Sequence, residues 1–302
     1  MSRILIVRAC AIGDFVLNLP ALRSLHQTRT DARFTLVGYP ATLDLAREFV
    51  PVDAVYSIEA DPWSRLFYGS ISGLSFDSAI VWMKDPAVAE NLRASGINDV
   101  VRADPFPAYG HAATHLLRTL GLSEPPLPDL WEPETEDIVI HASSGSAKKN
   151  WPHFDELVSR LGRAGLSLWE RPPEGRVRVA GFEPTCDPHP ALLFVAASGR
   201  SPRADLSQRE RCAPRILVDL SLTEVSQHLR RCRAYVGNDS GITHLAAYLG
   251  CPAVALFGPT DPRIWGPIGR RSRIIWKTNL EDISVDEVLL ALQCRTQNDR
   301  QT

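Results

Sequence analysis

The chain has 302 residues, 44% of them hydrophobic and 23% charged, with a formal net charge of −2. That length suits two domains of about 150 residues each better than one core, and the near-neutral balance argues against wholesale nucleic-acid binding. No run reaches the ~18 apolar residues of a membrane-spanning helix. The N-terminal MSRILIVRACAIGDF reads as a strand and not as a secretory leader. The six cysteines form no CxxC pair and no metal-ligand spacing. The expectation is a cytoplasmic protein with reduced thiols and no metal site.

Arg3–Val7 (RILIV) is a β-branched run of the kind a central parallel strand needs. After a short loop with Gly13, the spacing of Phe15, Leu17, Leu19, Leu22 and Leu25 predicts one helical stripe. Phe34–Val37 predicts a strand, Leu43–Phe49 a short helix, and Ala54–Ile58 and Ser78–Trp82 two more strands. Strands alternating with helices imply βαβ units and a parallel sheet. Residues 121–136 (GLSEPPLPDLWEPETE) are rich in proline and acid and carry no periodicity, so an interdomain linker is expected there, with domains over 1–132 and 133–302. The second half restarts with a strand at Asp137–His141 and a helix from Pro152 to Leu161. Ala234–Val236 and Pro252–Phe257 read as strands, Gly241–Leu249 and Val285–Leu292 as helices. Residues 166–215 are dense in Arg, Pro, Ser and Ala, contain no Lys and have weak periodicity, with Val177–Ala180 and Leu192–Ala196 as candidate strands. The fold class is α/β, two Rossmann-like domains with parallel sheets.

Four strand-to-helix turns carry the candidate chemistry. Ala11-Ile12-Gly13-Asp14 places Asp14 near a helix start, at the end of the sheet where open α/β folds bind ligands. Asp14 reads either as a helix cap or as a general base. In His141-Ala-Ser-Ser-Gly-Ser-Ala-Lys-Lys-Asn-Trp-Pro152, the N–H groups and hydroxyls of Ser143, Ser144 and Ser146 suit phosphate oxygens. Lys148 or Lys149 suits the diphosphate charge. Lysine occurs only at 84, 148, 149 and 277, so half of it sits in this loop. Gly237-Asn-Asp-Ser-Gly-Ile-Thr-His244 brings Asp239, Ser240 and Gly241 to a helix N-terminus, with His244 about one turn in. The last two turns together point to a bound diphosphate, against the plainer readings of Asp239 as a cap and His244 as a core histidine. The fourth, Phe257-Gly-Pro-Thr-Asp-Pro-Arg-Ile-Trp-Gly-Pro267, offers Thr260 and Asp261 or simply a rigid turn.

Gly13-Asp14 after its strand, Gly-Ser-x-x-Lys-x-Trp-Pro at 145–152, Gly-Asn-Asp-Ser-Gly-x-x-His-Leu-Ala at 237–246 and Leu-Phe-Gly-Pro-Thr-Asp-Pro at 256–262 together resemble glycosyltransferase family 9, the ADP-heptose:lipopolysaccharide heptosyltransferases. The resemblance spans both halves of the chain. It implies the GT-B fold, two Rossmann-like domains facing a central cleft. It also implies inverting, metal-free transfer of a heptose or related sugar, with no cofactor beyond a nucleotide-sugar donor, here ADP-heptose. The implied acceptor is a lipid-linked glycan, the lipopolysaccharide inner core or a relative, met at the inner face of the cytoplasmic membrane with peripheral membrane contact. By motif position Asp14 matches the family's base, and Lys149 the lysine on donor phosphate. Ser143 and Ser144 match hydroxyl positions of that loop, Asp239 the residue holding the donor sugar, and Ser240, Gly241 and His244 the diphosphate cradle. The family's Gly-Pro-x-Glu turn, whose Glu binds donor ribose, is met here only by Gly181-Phe182-Glu183, which makes Glu183 the corresponding residue.

Two rival functions remain at this stage. One is a nucleotide-sugar epimerase on the same scaffold, the other a non-catalytic member that only binds ligand. Arg65, Arg93 and Arg102 are candidates for acidic acceptor groups, against the plainer reading of solvated arginines.

Overall fold

A computed structural model of the chain describes residues 1–163, 191–196 and 215–293. They form two compact units, one from Met1–Asp129 with Thr260–Arg270, the other from the described residues of Leu130–Pro259 and Arg271–Thr302. The expected strand at Val177–Ala180 and the candidate Glu183 lie outside the described residues.

The first unit is built on five strands: β1 (Arg3–Arg8), β2 (Arg33–Gly38), β3 (Val52–Ser57), β4 (Ser78–Trp82) and β5 (Asp99–Ala103). They lie in the order β3-β2-β1-β4-β5, and every pairing is parallel. β1 is central because both its edges are taken, with Ile4 opposite Phe34 on one side and Ser78 on the other. Its run from Ile4 to Val7 is buried, as a strand covered on both faces requires. The helices are α1 (Ile12–Val16), α2 (Leu19–Thr28), α3 (Pro40–Leu43), α4 (Ala87–Ala94) and α5 (Ala112–Thr119).

The apolar stripe from Phe15 to Leu25 is two helices and not one. Pro20 lacks the N–H that would bond the Val16 carbonyl, and its ring would clash with it. The chain therefore breaks at Leu17–Asn18, and the proline sits in the first turn of α2, where it is tolerated. Leu43–Phe49 likewise resolves into α3 and a 3-10 turn over Asp44–Glu48. β5 and α4 were silent in the sequence for a simple reason. β5 is an edge strand in which only Val100 is buried, and α4 buries just Val88, Ala89 and Leu92.

The second unit contains β6 (Ile138–His141), β7 (Ala191–Ala196), β8 (Arg215–Leu220), β9 (Ala234–Asn238), β10 (Ala253–Phe257) and β11 (Ser272–Trp276). The order is β11-β10-β9-β6-β7-β8. β6, β9, β10 and β11 run parallel, but β7 is antiparallel to both β6 and β8. The second sheet is therefore mixed where a wholly parallel one was expected. Helices α6 (Phe154–Arg163), α7 (Leu222–Arg231), α8 (Gly241–Tyr248) and α10 (Val285–Gln293) belong to this unit, and α9 (Pro262–Trp265) to the first. α7 opens with a full capping box between Ser221 and Glu224. α6 starts at Phe154, two residues after Pro152. Trp151 instead turns inward, donating from Nε1 to the Ile283 carbonyl at 2.9 Å and packing edge-on against Phe154.

The proline- and acid-rich stretch divides between the units. Arg23 and Ser24 of α2 hold the Pro126 and Ser123 carbonyls at 2.7 and 2.8 Å. Trp131 donates to the Cys232 carbonyl at 2.8 Å beneath the Arg271 guanidinium.

In both sheets the strand order reverses beside the unit's first strand, between β1 and β4 and between β6 and β9. Open α/β sheets bind ligands at such switch points, beyond the carboxyl ends of the strands. The loops after β1, β4, β6 and β9 are therefore the places to look for a site.

The parallel register of β1 and β2 ends on Arg8 opposite Gly38. A Cβ at Gly38 would lie 2.0 Å from the Arg8 carbonyl oxygen and 2.9 Å from Leu43 Cδ1, and backbone in a central sheet cannot withdraw. Gly38→Ala should destabilise the protein by about 1–3 kcal/mol, the usual range for overpacking. The measurement is the denaturant midpoint at unchanged m-value. A wild-type midpoint would show that the strand ends have slack.

Candidate active site

At the first switch point, Asp14 lines a recess of about 240 Å³ with Arg8, Cys10, Trp82, Met83, Lys84, Pro105 and Phe106. Asp14 is not the cap of α1. Ala11 holds that position with no side-chain bond, and Asp14 lies three residues further, within the first turn. Its charge there is favourable with the helix dipole. Arg8 is buried at the end of β1, where Nε donates to Asn18 Oδ1 at 3.2 Å and Nη1 to the Trp82 carbonyl at 3.1 Å. Asn18 stands in the break between α1 and α2, so the kink forced by Pro20 provides the acceptor. Burial pushes the Cys10 thiol up to about 12, with the Asp14 charge adding to it against the Arg8 guanidinium. The environment thus favours the thiol form of Cys10 over the thiolate.

Of the arginines considered for an acceptor, Arg102 bonds the Lys84 carbonyl at the edge of this recess. Arg93 is occupied with the Val100 carbonyl at 2.7 Å, and Arg65 forms an exposed pair with Asp61 at 2.6 Å. In the fourth motif Asp261 caps α9 by accepting from the Arg263 N–H, and Trp265 packs against Phe106.

At the second switch point the loops after β6 and β9 come together. Asn238, wholly buried at the end of β9, accepts from the Trp151 N–H at 2.9 Å and donates to the Ala142 carbonyl at 2.8 Å. Lys149 then reaches across, and its Nζ lies 2.7 Å from Asp239 Oδ2. Asp239 is 7% exposed, and its other oxygen is 4.0 Å from His244 Nε2. The cap of α8 is Ser240, whose hydroxyl accepts from the Thr243 N–H, and not Asp239. Lys149, Asp239, Ser240, Gly241 and His244 thus fall in one place. Lys148 is exposed.

Ser143 and Ser144 of the β6 loop have different jobs. Ser144 Oγ binds the Ser146 carbonyl at 2.7 Å and Asn150 Oδ1 at 2.8 Å, which shapes the loop itself. Ser143 Oγ lies 3.0 Å from His141 Nε2, and His141 Nδ1 lies 3.2 Å from Ser240 Oγ. Burial pushes His141 down to about 4, so the imidazole is neutral at pH 7. Beneath α8 the Tyr235 hydroxyl lies 2.9 Å from Thr243 Oγ1. A Cβ at Gly237 would lie 2.2 Å from that hydroxyl oxygen, so only glycine fits there. Among the described residues no group of three His, Cys, Asp or Glu side chains is arranged to hold a metal ion.

This arrangement has known counterparts. The sequence model of glycosyltransferase family 9 (heptosyltransferase) matches residues 129–290. Lipopolysaccharide heptosyltransferase 1 of Pseudomonas aeruginosa is 38% identical over 322 aligned positions, covering 89% of this chain and 82% of that protein. The chain belongs to glycosyltransferase family 9. Lipopolysaccharide heptosyltransferase 2 of Salmonella typhimurium is 48% identical over 136 positions, but that match covers 44% of this chain and only 34% of the relative. Among solved structures, the Escherichia coli ADP-heptose lps heptosyltransferase II aligns with a TM-score of 0.66 at 19% identity, over 99% of this chain and 100% of that one. An Escherichia coli heptosyltransferase solved with ADP aligns at 0.65 and 18% identity, over 98% and 99% of the two chains. The fold is GT-B, with one Rossmann-like domain in each unit.

Four residues of this family 9 chain gain importance from the structure. Lys84 carried a signal, as one of four lysines. Arg8 reads in sequence as the last residue of a strand, His141 likewise, and Asn238 as one more small polar residue in a glycine-rich turn. A buried polar residue at the carboxyl end of a strand, in an otherwise apolar run, is the pattern that unites three of them.

Asn238 can be tested directly. Asn238→Asp keeps the shape and the acceptor for Trp151 but removes the donor to Ala142 and adds a buried charge beside Asp239. Leaving such a group unsatisfied costs roughly 1–3 kcal/mol, more for a charge. We expect a lower melting temperature together with weaker ADP binding. Unchanged ADP affinity in a destabilised variant would show that the staple serves folding alone.

Proposed function

We propose that this family 9 chain is an inverting heptosyltransferase, taking a heptose or related sugar from an ADP-sugar to a lipopolysaccharide inner-core or related glycan. The observation that carries this reading is the cluster of Lys149, Asp239 and His244 at the N-terminus of α8, beside the serine loop after β6. A cation, a helix N-terminus and hydroxyls suit a diphosphate, while a buried carboxylate suits the hydroxyls of the attached sugar. The relatives named as lipopolysaccharide heptosyltransferases, and the solved neighbour with ADP, support the donor class.

On this reading the acceptor hydroxyl oxygen attacks the anomeric carbon while its bond to the diphosphate oxygen breaks. Asp14 takes the hydroxyl proton. ADP leaves with the bonding electrons, and its growing charge is met by Lys149, the Ser240 hydroxyl and the free N–H groups at Gly241, with His244 behind them. Attack from the face opposite the leaving group inverts the anomeric centre. Glu183 is the proposed partner of the donor ribose. The charge is met by side chains and a helix end, so the scheme needs no metal and no cofactor. The proposed location is the cytoplasmic face of the inner membrane, with peripheral contact to reach a lipid-linked acceptor. No described helix is long and apolar enough to cross a membrane.

Asp14→Asn tests the base. Asparagine keeps the volume but cannot take the proton, so kcat should fall by roughly 10²–10⁴, with melting temperature and ADP affinity near wild type. A wild-type kcat would refute the assignment. The same assay should survive EDTA. Activity lost on chelation and restored by Mg²⁺ or Mn²⁺ would sink the metal-free scheme.

A further inference from the structure

His141 is 5% exposed, yet both its ring nitrogens face hydroxyls from two different loops, Ser143 on one side and Ser240 on the other. Ser143 and Ser240 are only partly buried, so an incoming anion can meet either. Proton counting constrains what they can offer. A neutral imidazole has one N–H and one bare nitrogen. If the proton is on Nδ1, it donates to Ser240 Oγ, and the bare Nε2 takes the Ser143 proton. Ser143 then presents only lone pairs, and the Ser240 proton is the one free to point elsewhere. If the proton is on Nε2, the roles exchange. It donates to Ser143 Oγ, the Ser240 proton goes to Nδ1, and Ser143 has the proton to give.

The surroundings keep this balance closed. Ser240 Oγ already accepts the Thr243 N–H as the cap of α8. The Thr243 hydroxyl donates to the Asn238 carbonyl, so its oxygen accepts from Tyr235 or Ser240 and supplies no further proton. Until an anion arrives, the spare Ser240 proton can rest on Thr243 Oγ1, 3.2 Å away. A phosphate oxygen is an acceptor only, so it binds whichever serine holds the spare proton and repels the one presenting lone pairs.

We propose that His141 is a tautomeric relay between the two donor loops: at any instant only one of Ser143 and Ser240 can donate to a bound anion, and the ring's proton position records which. His141 is thus a positioning residue that does not touch the ligand itself. The proposal rests on the reading that this site takes a diphosphate, and it adds to that reading mutually exclusive donation by the two loops. Contact of an anion with one loop withdraws the hydroxyl of the other through the ring, without movement of either backbone.

The test is a nitrogen NMR measurement on the full chain with histidine labelled at both ring nitrogens, with calorimetry on the same samples. The His141 signals are identified by their loss in His141→Gln and by their displacement in Ser143→Ala, so either variant suffices. Without ligand, His141 should show one protonated and one bare nitrogen, alone or as a weighted average of the two tautomers. Saturation with ADP, or with inorganic pyrophosphate as a second probe, should drive the ring toward one tautomer. ADP binding with unchanged His141 signals overturns the relay and leaves the donor reading standing. A doubly protonated ring at pH 7 also overturns it. Failure of both probes to bind overturns the donor reading and the relay with it.

Discussion

The second unit's site depends on one buried amide. Asn238 closes β9, and its two ends satisfy the Trp151 N–H and the Ala142 carbonyl, groups that would otherwise be buried without partners. Because Trp151 is locked into the core through Ile283 and Phe154, the amide ties the loop after β6 to the floor of the domain. Lys149 is two residues before that anchor and Asp239 one residue after the amide. Their 2.7 Å contact follows from the staple, not from any attraction strong enough to order a free loop. With Lys149 a third exposed and Asp239 nearly buried, the pair serves to keep the carboxylate's charge met once the loop is in place.

The first unit uses the same device with a different group. Arg8 is a buried guanidinium at the end of a strand, tied to the kink before α2 and to the end of β4. Neutral partners offset part of its desolvation, and it places a fixed positive charge in the recess that Asp14 lines. In each sheet the strand at the switch point ends in a polar side chain that binds the neighbouring loops. The site then stands on strand ends, which are held more firmly than loops.

The fold was legible because strands buried on both faces leave continuous apolar runs, as at Ile4–Val7 and Ala253–Phe257. The failures have physical causes as plain. Pro20 divided a stripe whose period ran on unbroken, β5 and α4 bury too few residues to print a period, and the antiparallel course of β7 depends on pairing that composition does not encode. The glycine- and serine-rich turns after β6 and β9 stood out in the sequence because tight strand-to-helix turns need small residues. Asn238, His141 and Arg8 were not legible as functional, since their importance comes from what faces them across sequence distances of 74 to 99 residues.

On the donor reading, a carboxylate within an anion site looks self-defeating, and its geometry gives a reason for it. Asp239 is nearly buried, so its charge is tolerable only with Lys149 against one oxygen and the His244 ring near the other. A bare phosphate arriving at α8 would compete with Asp239 for Lys149 and meet like charge at close range. A sugar diphosphate, on the donor reading, brings hydroxyl donors of its own. These can occupy the carboxylate oxygens while the diphosphate shares the lysine, so the charge left by one contact is met by the other. On that reading the site would discriminate by requiring both halves of its ligand at once. Such selection comes from unfavourable terms against the partial ligand more than from favourable contacts with the whole one.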